Sequence, residues 1–248
     1  MTPEIPFRRN VVEPVSCIKG GWEIIKNQYW LFVGMTLVGV LIGGAVPIIL
    51  MGPMMCGLNL AFLKTRRGEP IEFGTLFKGF DYFGQSVIAS VLQTIPVIVI
   101  VVPAYILFYV FMFVGIAASS SGGGDPNPAA LFGVMAGFGL FWLVVVAIII
   151  IISIGFLFVF PLIVDRKLSA IDAIKLSFRA ALSNFWRLLG MVLLTTLMSA
   201  VGVLACYIGA FLVMPISYAA IAKAYEQVFG LDEGLGFSNM PPPPPVFN

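Results

Sequence analysis

The chain has 248 residues, of which 60% are hydrophobic and only 10% are charged, and its net charge is +2. Soluble domains have about 45–50% apolar and about 25% charged residues, so this composition argues against a soluble globular protein. The small net charge implies no bulk attraction to nucleic acid, and the absence of histidine removes the commonest metal ligand and general base, so we expect no nucleic-acid partner and no cofactor.

The first 30 residues predict a cytoplasmic arm followed by an amphipathic helix at the membrane surface. Pro14 is suited to the first turn of this helix. One apolar face recurs at helical spacing and consists of Val15, Ile18, Trp22, Ile25 and Tyr29. Because no apolar core follows the N-terminal basic residues, we expect the first membrane segment, and not a signal peptide, to direct insertion.

Six apolar segments predict membrane helices. They are Leu31–Val46, Ile48–Leu63, Val87–Ala117, Ala130–Ile163, Leu188–Ala205 and Ile208–Ala222. The first and last pairs form short hairpins, because only 33 residues separate Trp30 from Lys64 and only 35 separate Arg187 from Lys223. Two full spans need about 40 residues. Each hairpin therefore either crosses a thin region of the bilayer or enters and returns on the same side.

The basic residues predict the orientation of these segments. All 14 Lys and Arg residues fall on one side, and the opposite loops contain a single charge, Asp125. By the positive-inside rule the basic side is cytoplasmic. We therefore expect a protein of the bacterial inner membrane with both termini in the cytoplasm.

Two further stretches on the basic side have helical patterns. The segment 71–83 contains Phe73, Phe77, Phe80 and Phe83, although Gly74 and Gly79 weaken the prediction of a helix there. A second amphipathic helix follows the fourth membrane segment, and Ser169 with Asp172 resembles a capping box at its start. Its apolar face consists of Leu168, Ile171, Ile174, Phe178, Ala181 and Phe185.

The two hairpins, each with its amphipathic helix, resemble one another. An offset of 156 residues aligns Trp30 with Trp186 and Lys19 with Lys175, and after six extra residues Pro53 aligns with Pro215. Two segments separate the copies, so both enter the membrane from the same side as parallel repeats. The alternative is chance similarity between apolar sequences.

The predicted fold class is therefore an all-α polytopic bundle of about six membrane segments, with two parallel repeats of an amphipathic helix plus a Pro-containing hairpin. We expect one membrane domain over 1–230 and a disordered Pro-rich tail over 231–248, with Pro241–Pro245 as a possible polyproline docking segment. Within the domain, the predicted parts are the N-terminal arm and helix 1–30, hairpin 31–63, basic and aromatic segment 64–86, two long helices 87–163, amphipathic helix 164–187 and hairpin 188–222.

Candidate functional residues are few. Lys64, Arg66 and Arg67 form a compact basic patch that either contacts lipid headgroups or only fixes the topology. Six polar residues lie in apolar segments and either line a pathway or bond between helices: Asn59, Gln93, Thr94, Thr195, Thr196 and Ser199. We interpret Cys17, Cys56 and Cys206 as packing residues, and Gly122–Gly124 as a flexible loop.

Two stretches resemble a known family. One is Gly68–Pro70 followed by Phe73–Phe80, and the other is Phe160–Asp165 followed by Ala170, Ala173, Ser177, Asn184–Trp186 and Leu188–Gly190. Over roughly 15–230 the chain resembles a family of uncharacterised bacterial polytopic membrane proteins, related to the membrane domain fused to some glycerophosphodiester phosphodiesterases. The resemblance implies a six-segment helical bundle with interfacial helices. It implies no reaction, since the phosphodiesterase chemistry of those fusions belongs to a separate soluble domain.

We therefore expect a non-enzymatic structural or accessory membrane protein that packs with partner subunits or shapes the cytoplasmic leaflet. Its expected partners are membrane lipids and either protein subunits or further copies of itself. One alternative is a passive channel or a lipid or solute transporter, motivated by the polar residues. A membrane-embedded enzyme is the other alternative. No Asp, Glu, Lys or Arg lies deep in an apolar segment, which argues against ion-coupled transport and intramembrane acid–base catalysis.

Overall fold

The structure is a computed structural model of the chain, and it describes residues 5–120, 128–204 and 208–230. These residues form α-helices and two 3₁₀ segments, Lys26–Gln28 and Phe73–Tyr82, with no strand among them. The α-helices are α1 Pro14–Ile25, α2 Tyr29–Ala45, α3 Pro47–Arg66, α4 Phe83–Ser120, α5 Pro128–Gly155, α6 Val159–Arg166, α7 Ala170–Ser183, α8 Phe185–Leu204 and α9 Ile208–Phe229. Asp125, Cys206, Gly122–Gly124 and Pro241–Pro245 lie outside the described residues.

Five helical stretches of the described chain are long and apolar enough to cross a membrane. They are Pro14–Ala45, Pro47–Arg66, Phe73–Gly115, Met135–Arg166 and Phe185–Leu204. This confirms the prediction of an all-helical chain with several membrane-length segments. The sixth predicted segment corresponds to α9, which is helical but is not among the five.

Helix α1 packs through small residues and through part of its predicted apolar face, of which Ile25 is fully buried. It lies along α9, where a Cβ added to Gly21 would sit 2.7 Å from the backbone nitrogen of Ala220. Cys17 is buried on the same side, whereas Val15 and Trp22 are 57% and 43% exposed. Small side chains let two helix backbones approach closely, and this explains the close approach of α1 to α9.

The aromatic segment predicted as a helix over 71–83 is a 3₁₀ segment, Phe73–Tyr82, that lies along α3. The two backbones are in close contact here, as shown by the 2.0 Å that would separate a Cβ added to Gly79 from the carbonyl oxygen of Pro53. Thr75, Leu76 and Gly79 are buried, and the four phenylalanines of the segment and its end face outward. The glycine that weakens a helix prediction is thus the residue that allows this contact.

The predicted segment Ala130–Ile163 is divided into α5 and α6. The break lies at 156–158, where Ser177 of α7 supplies two hydrogen bonds. Its Oγ donates to the carbonyl of Gly155 at 2.6 Å and accepts from the backbone N–H of Phe158 at 3.2 Å. At the start of α7, Ser169 Oγ accepts from the backbone N–H of Asp172, which confirms Ser169 as the N-cap. The Asp172 carboxylate accepts from Ser169 Oγ at 2.7 Å and does not make the reciprocal contact of a capping box.

Two cores hold the helices together. The larger core joins α6 and α7 to the C-terminal part of α9 and includes Phe158, Leu162 and Tyr225. The smaller core joins α2 to α3, where the rings of Phe32 and Phe62 stack with centroids 4.9 Å apart. Both cores lie near the ends of helices that carry the basic residues.

The outer parts of α4 and α5, residues 95–115 and 132–151, form what we call the arm. Its aromatic contacts run between the two helices, with Tyr105 against Trp142 and Phe108 against Phe138 at centroid distances of 5.0 and 4.2 Å. Large apolar side chains such as Phe113 face outward. Only 6% of the most apolar 18 residues of Phe73–Gly115 are buried, so most of the arm contacts the surrounding medium.

Candidate functional site

The basic patch at the end of α3 is paired with acidic side chains from distant parts of the chain. Arg66 donates from Nε and Nη2 to the two carboxylate oxygens of Glu226, at 2.8 and 2.6 Å. Arg67 Nη2 lies 2.5 Å from Asp165 Oδ1, and Lys64 Nζ lies 3.4 Å from Glu69 Oε2. The charges of the patch are therefore largely compensated within the chain, and headgroup binding there stays a prediction.

Asp165 is the centre of a buried cluster that we call the Asp165 clasp, consisting of Asp165, Arg67, Arg166 and Tyr225. The Asp165 side chain is fully buried and accepts a hydrogen bond from Tyr225 Oη at 2.7 Å, besides the contact from Arg67. Arg166 Nε lies 3.4 Å from its second oxygen. Burial and the neighbouring carboxylate raise the pKa of Tyr225, so the phenol stays protonated and donates. The clasp joins the ends of α3, α6 and α9.

Glu226 extends this network toward the surface. Besides Arg66, it accepts from Lys223 Nζ, which lies 3.1 Å from each of its carboxylate oxygens. Burial disfavours the carboxylate, but the hydrogen bonds and charges of Arg66 and Lys223 outweigh that effect, and the pKa of Glu226 is lowered. The side chain is therefore ionised at neutral pH, and both ion pairs are formed.

Asn184, at the junction of α7 and α8, holds the N-terminal residues 5–13 against the helices. Its Oδ1 accepts from the backbone N–H of Val11, and its Nδ2 donates to the carbonyl of Arg8, both at 3.1 Å. Gln227 of α9 accepts from the backbone N–H of Glu13 at 3.1 Å. This segment has no periodic pattern in the sequence, and its position depends on two side-chain amides more than 170 residues away.

The six polar residues of the predicted pathway lie on three helices, α3, α4 and α8. The side chains of Asn59, Thr94 and Thr195 donate to backbone carbonyls of their own helices, four residues earlier, at 2.8, 2.8 and 3.1 Å. Gln93 and Ser199 are half-buried, and Thr196 is exposed. Within the described ranges no hydrogen bond joins two of the six. Their role in a pathway or between helices stays a prediction.

The arm carries an apolar cleft of about 430 Å³ between α4 and α5. Its lining consists of Leu107, Phe108, Val110, Phe111, Val114, Gly137, Phe138 and Phe141. A Cβ added to Gly137, or to Gly133 one turn earlier, would meet no atom within 4 Å. The chain's own packing therefore does not require either glycine. The sequence analysis did not predict this surface, although the spacing Gly-x-x-x-Gly of Gly133 and Gly137 is a signal for close approach of another helix.

The described residues offer no metal site and no disulfide. In the part of the chain that the structure describes, no group of three Cys, Asp or Glu side chains is placed to hold a metal ion. Cys17 and Cys56 are buried free thiols, and Cys17 Sγ lies 3.3 Å from Gln227 Oε1. Both are thus packed inside the helical body.

Comparisons with known proteins found no matching family model, no matching curated protein and no matching solved structure. The resemblance drawn from residues 68–80 and 160–190 therefore stays a prediction.

Proposed function

We propose that the chain is a non-enzymatic integral membrane protein that acts as a structural or accessory component, packing through its arm against another polypeptide in the bilayer. The observation that supports this most directly is the arm itself. Two membrane-length helices contact mainly each other there and leave large apolar side chains, such as Phe113 and Phe132, 78% and 75% exposed. The cleft beside Gly137 adds a concave apolar surface on the same two helices.

The cleft favours a protein partner for a physical reason. Lipid tails are as apolar as leucine side chains, so exposure alone does not drive helix association in a bilayer. Association needs close packing, which small residues and complementary surfaces provide. Gly133 and Gly137, with open space at both Cβ positions, would let a second backbone approach α5.

The finer architecture belongs to the same proposal. We place about six segments in a bacterial inner membrane with both termini cytoplasmic, following the one-sided distribution of Lys and Arg. A duplication is supported by the element boundaries, because α7 and α8 each begin 156 residues after α1 and α2. Pro53 and Pro215 also lie inside the second helix of each hairpin. The short hairpins and amphipathic helices would add area to the cytoplasmic leaflet, which is the membrane-shaping form of the proposal.

The channel or transporter alternative has weaker support. The side chains of Asn59, Thr94 and Thr195 satisfy their hydrogen bonds within their own helices, as Thr side chains and amides commonly do in apolar helices. Solute flux through proteoliposomes that is lost on Asn59→Leu would favour this alternative instead.

The proposed packing is tested by filling the cleft. Gly137→Leu adds a side chain to the lining of the cleft at a position where an added Cβ meets no atom within 4 Å, and Gly139→Leu makes the same change at an equally open position outside the lining. The measurement is the mass of the assembly after extraction in a mild detergent. We expect the wild type and Gly139→Leu to exceed the 26.8 kDa of one chain by the mass of a protein partner, and Gly137→Leu to shift toward 26.8 kDa.

Two results would contradict the proposal. One is a wild-type protein that runs at the mass of one chain plus detergent. The other is an assembly that Gly137→Leu leaves unchanged, since the cleft would then be covered by lipid alone.

A further inference from the structure

The outer face of α7 combines exposed cations with exposed apolar side chains. Ile171, Lys175, Arg179 and Leu182 are spaced so that they follow one side of the helix, and all four are exposed, Ile171 by 54% and Leu182 by 68%. The opposite side, with Ala173, Ser177 and Ala180, is buried. Because α7 packs on α4, α5 and α6 through these small residues, its outer face is left toward the surroundings.

The two cations of this face lack acidic partners among the described residues. No ion pair involves Lys175 or Arg179, and the nearest acid on the helix, Asp172, is hydrogen-bonded to Ser169 Oγ at 2.7 Å. The patch predicted from the sequence differs in this respect, because Lys64, Arg66 and Arg67 all contact carboxylates. The outer face of α7 therefore carries two cations without acidic partners among the described residues, whereas the cations at the end of α3 are paired.

We propose that the outer face of α7 binds the headgroups of anionic phospholipids, with Lys175 and Arg179 on the phosphate and with Ile171 and Leu182 in the acyl boundary. Helices with basic and apolar residues on their exposed faces lie in the membrane interface and prefer anionic lipid. The apolar flanks favour a lipid over free phosphate, since an inorganic anion would leave both of them in water. Trp186, which is 80% exposed at the start of α8, is suited to the same headgroup depth.

The corresponding face in the first copy has a different charge. Val15 and Lys19 occupy the positions of Ile171 and Lys175, but the position of Arg179 is taken by Glu23, which forms an ion pair with Lys26. Of these two helices, α7 is thus the one whose outer face presents two cations without an acidic partner among the described residues. This inference does not rest on the arm, so it can fail or succeed independently of the proposed packing function.

The test compares phosphatidylglycerol with phosphatidylcholine by native mass spectrometry of the detergent-solubilised chain. The variant is Lys175→Ala/Arg179→Ala. Its control, Arg8→Ala/Arg9→Ala, removes the same charge from two other exposed residues of the basic side. We expect the wild type to prefer phosphatidylglycerol and the α7 variant to bind it about 30-fold more weakly, as two interfacial cations predict, with phosphatidylcholine binding unchanged.

Further measurements test both the lipid preference and its assignment to α7. The conservative exchange Lys175→Arg/Arg179→Lys should retain the preference, and in the wild type it should weaken as ionic strength rises. An equal loss in the Arg8→Ala/Arg9→Ala control would overturn the assignment to α7. Absence of a phosphatidylglycerol preference in the wild type, or complete displacement of the lipid by excess inorganic phosphate, would overturn lipid binding itself.

Discussion

Removing the carboxylate of Asp165 should destabilise the whole helical body. The side chain is fully buried and contacts both Arg67 and Tyr225, so Asp165→Ala leaves a guanidinium and a phenol without their acceptor. Breaking a buried ion pair by removing one partner costs about 3–5 kcal/mol. Arg67 and Arg166 are 29% and 20% exposed, so water can solvate them in part, and we expect about 3 kcal/mol, near the lower limit of that range.

Two milder variants separate the contributions. Tyr225→Phe removes one hydrogen bond to a charged acceptor while the ring keeps its contacts with Phe158 and Phe229, and we expect a loss of about 1.5 kcal/mol. In Asp165→Ala/Arg67→Met the cation that loses the Asp165 carboxylate is also removed. The double variant should therefore lose less stability than Asp165→Ala and Arg67→Met lose together as separate single variants.

The assay is thermal unfolding in detergent, followed by a thiol-reactive fluorophore. Cys17 and Cys56 are buried and react only as the helices separate, and Cys206 is replaced by serine in every protein compared. At about 2–4 °C per kcal/mol for a chain of this size, Asp165→Ala should lower Tm by about 6–12 °C. Asp81→Ala is the control, because Asp81 is exposed and no ion pair of the described residues involves it. A Tm for Asp165→Ala within about 3 °C of the wild type would refute the structural role of the clasp.

Two other predictions concern the packing and the charges around α3. Gly79→Ala should lower the free energy of unfolding by about 1–3 kcal/mol, because its Cβ would sit 2.0 Å from the Pro53 carbonyl oxygen. The control is Gly74→Ala, which has open space in the same segment and should leave the stability unchanged. Equal Tm values for the two variants would contradict the close contact at Gly79. For Glu226, a folded pKa below its usual 4.5 means that the stabilisation is present above the unfolded pKa and is lost as pH falls through the folded pKa. We therefore expect Glu226→Gln to flatten the acid limb of a Tm-against-pH curve, and an unchanged limb would be evidence against the ion pairs.

The sequence predicted the elements that depend on local chemistry. Apolar runs identified the membrane-length helices, Pro14 marked the first turn of α1, and Ser169 marked the start of α7. Each of these signals acts within a few residues, through solvation of side chains or capping of the first backbone N–H groups. Where the signal was a continuous apolar run, as in Ala130–Ile163, the sequence did not predict the break, because Ser177 provides its hydrogen bonds from another helix.

The packing faces were harder to predict because small residues determine them. Hydrophobic periodicity selects large side chains and so selected Val15 and Trp22 on α1. In the structure the close approach to α9 occurs at Gly21, and Val15 and Trp22 face outward, whereas Ile25 of the same predicted face is buried. A protein surrounded by lipid gains little from turning its large apolar side chains inward, so periodicity indicates the helix but not which side of it is buried.

The same limit applies to charge, and it explains why the candidate lipid site moves from α3 to α7. In sequence, Lys64, Arg66 and Arg67 form the densest basic patch, but their acceptors include Asp165 and Glu226, which the fold brings from 98 and 160 residues away. Lys175 and Arg179 are less conspicuous in sequence and remain without acidic partners among the described residues. How strongly a cation binds an anionic membrane depends on whether an acidic side chain already pairs with it. Local charge density in the sequence therefore selects cations that form ion pairs within the fold. Cations on an outer face without acidic partners are the better candidates for membrane binding.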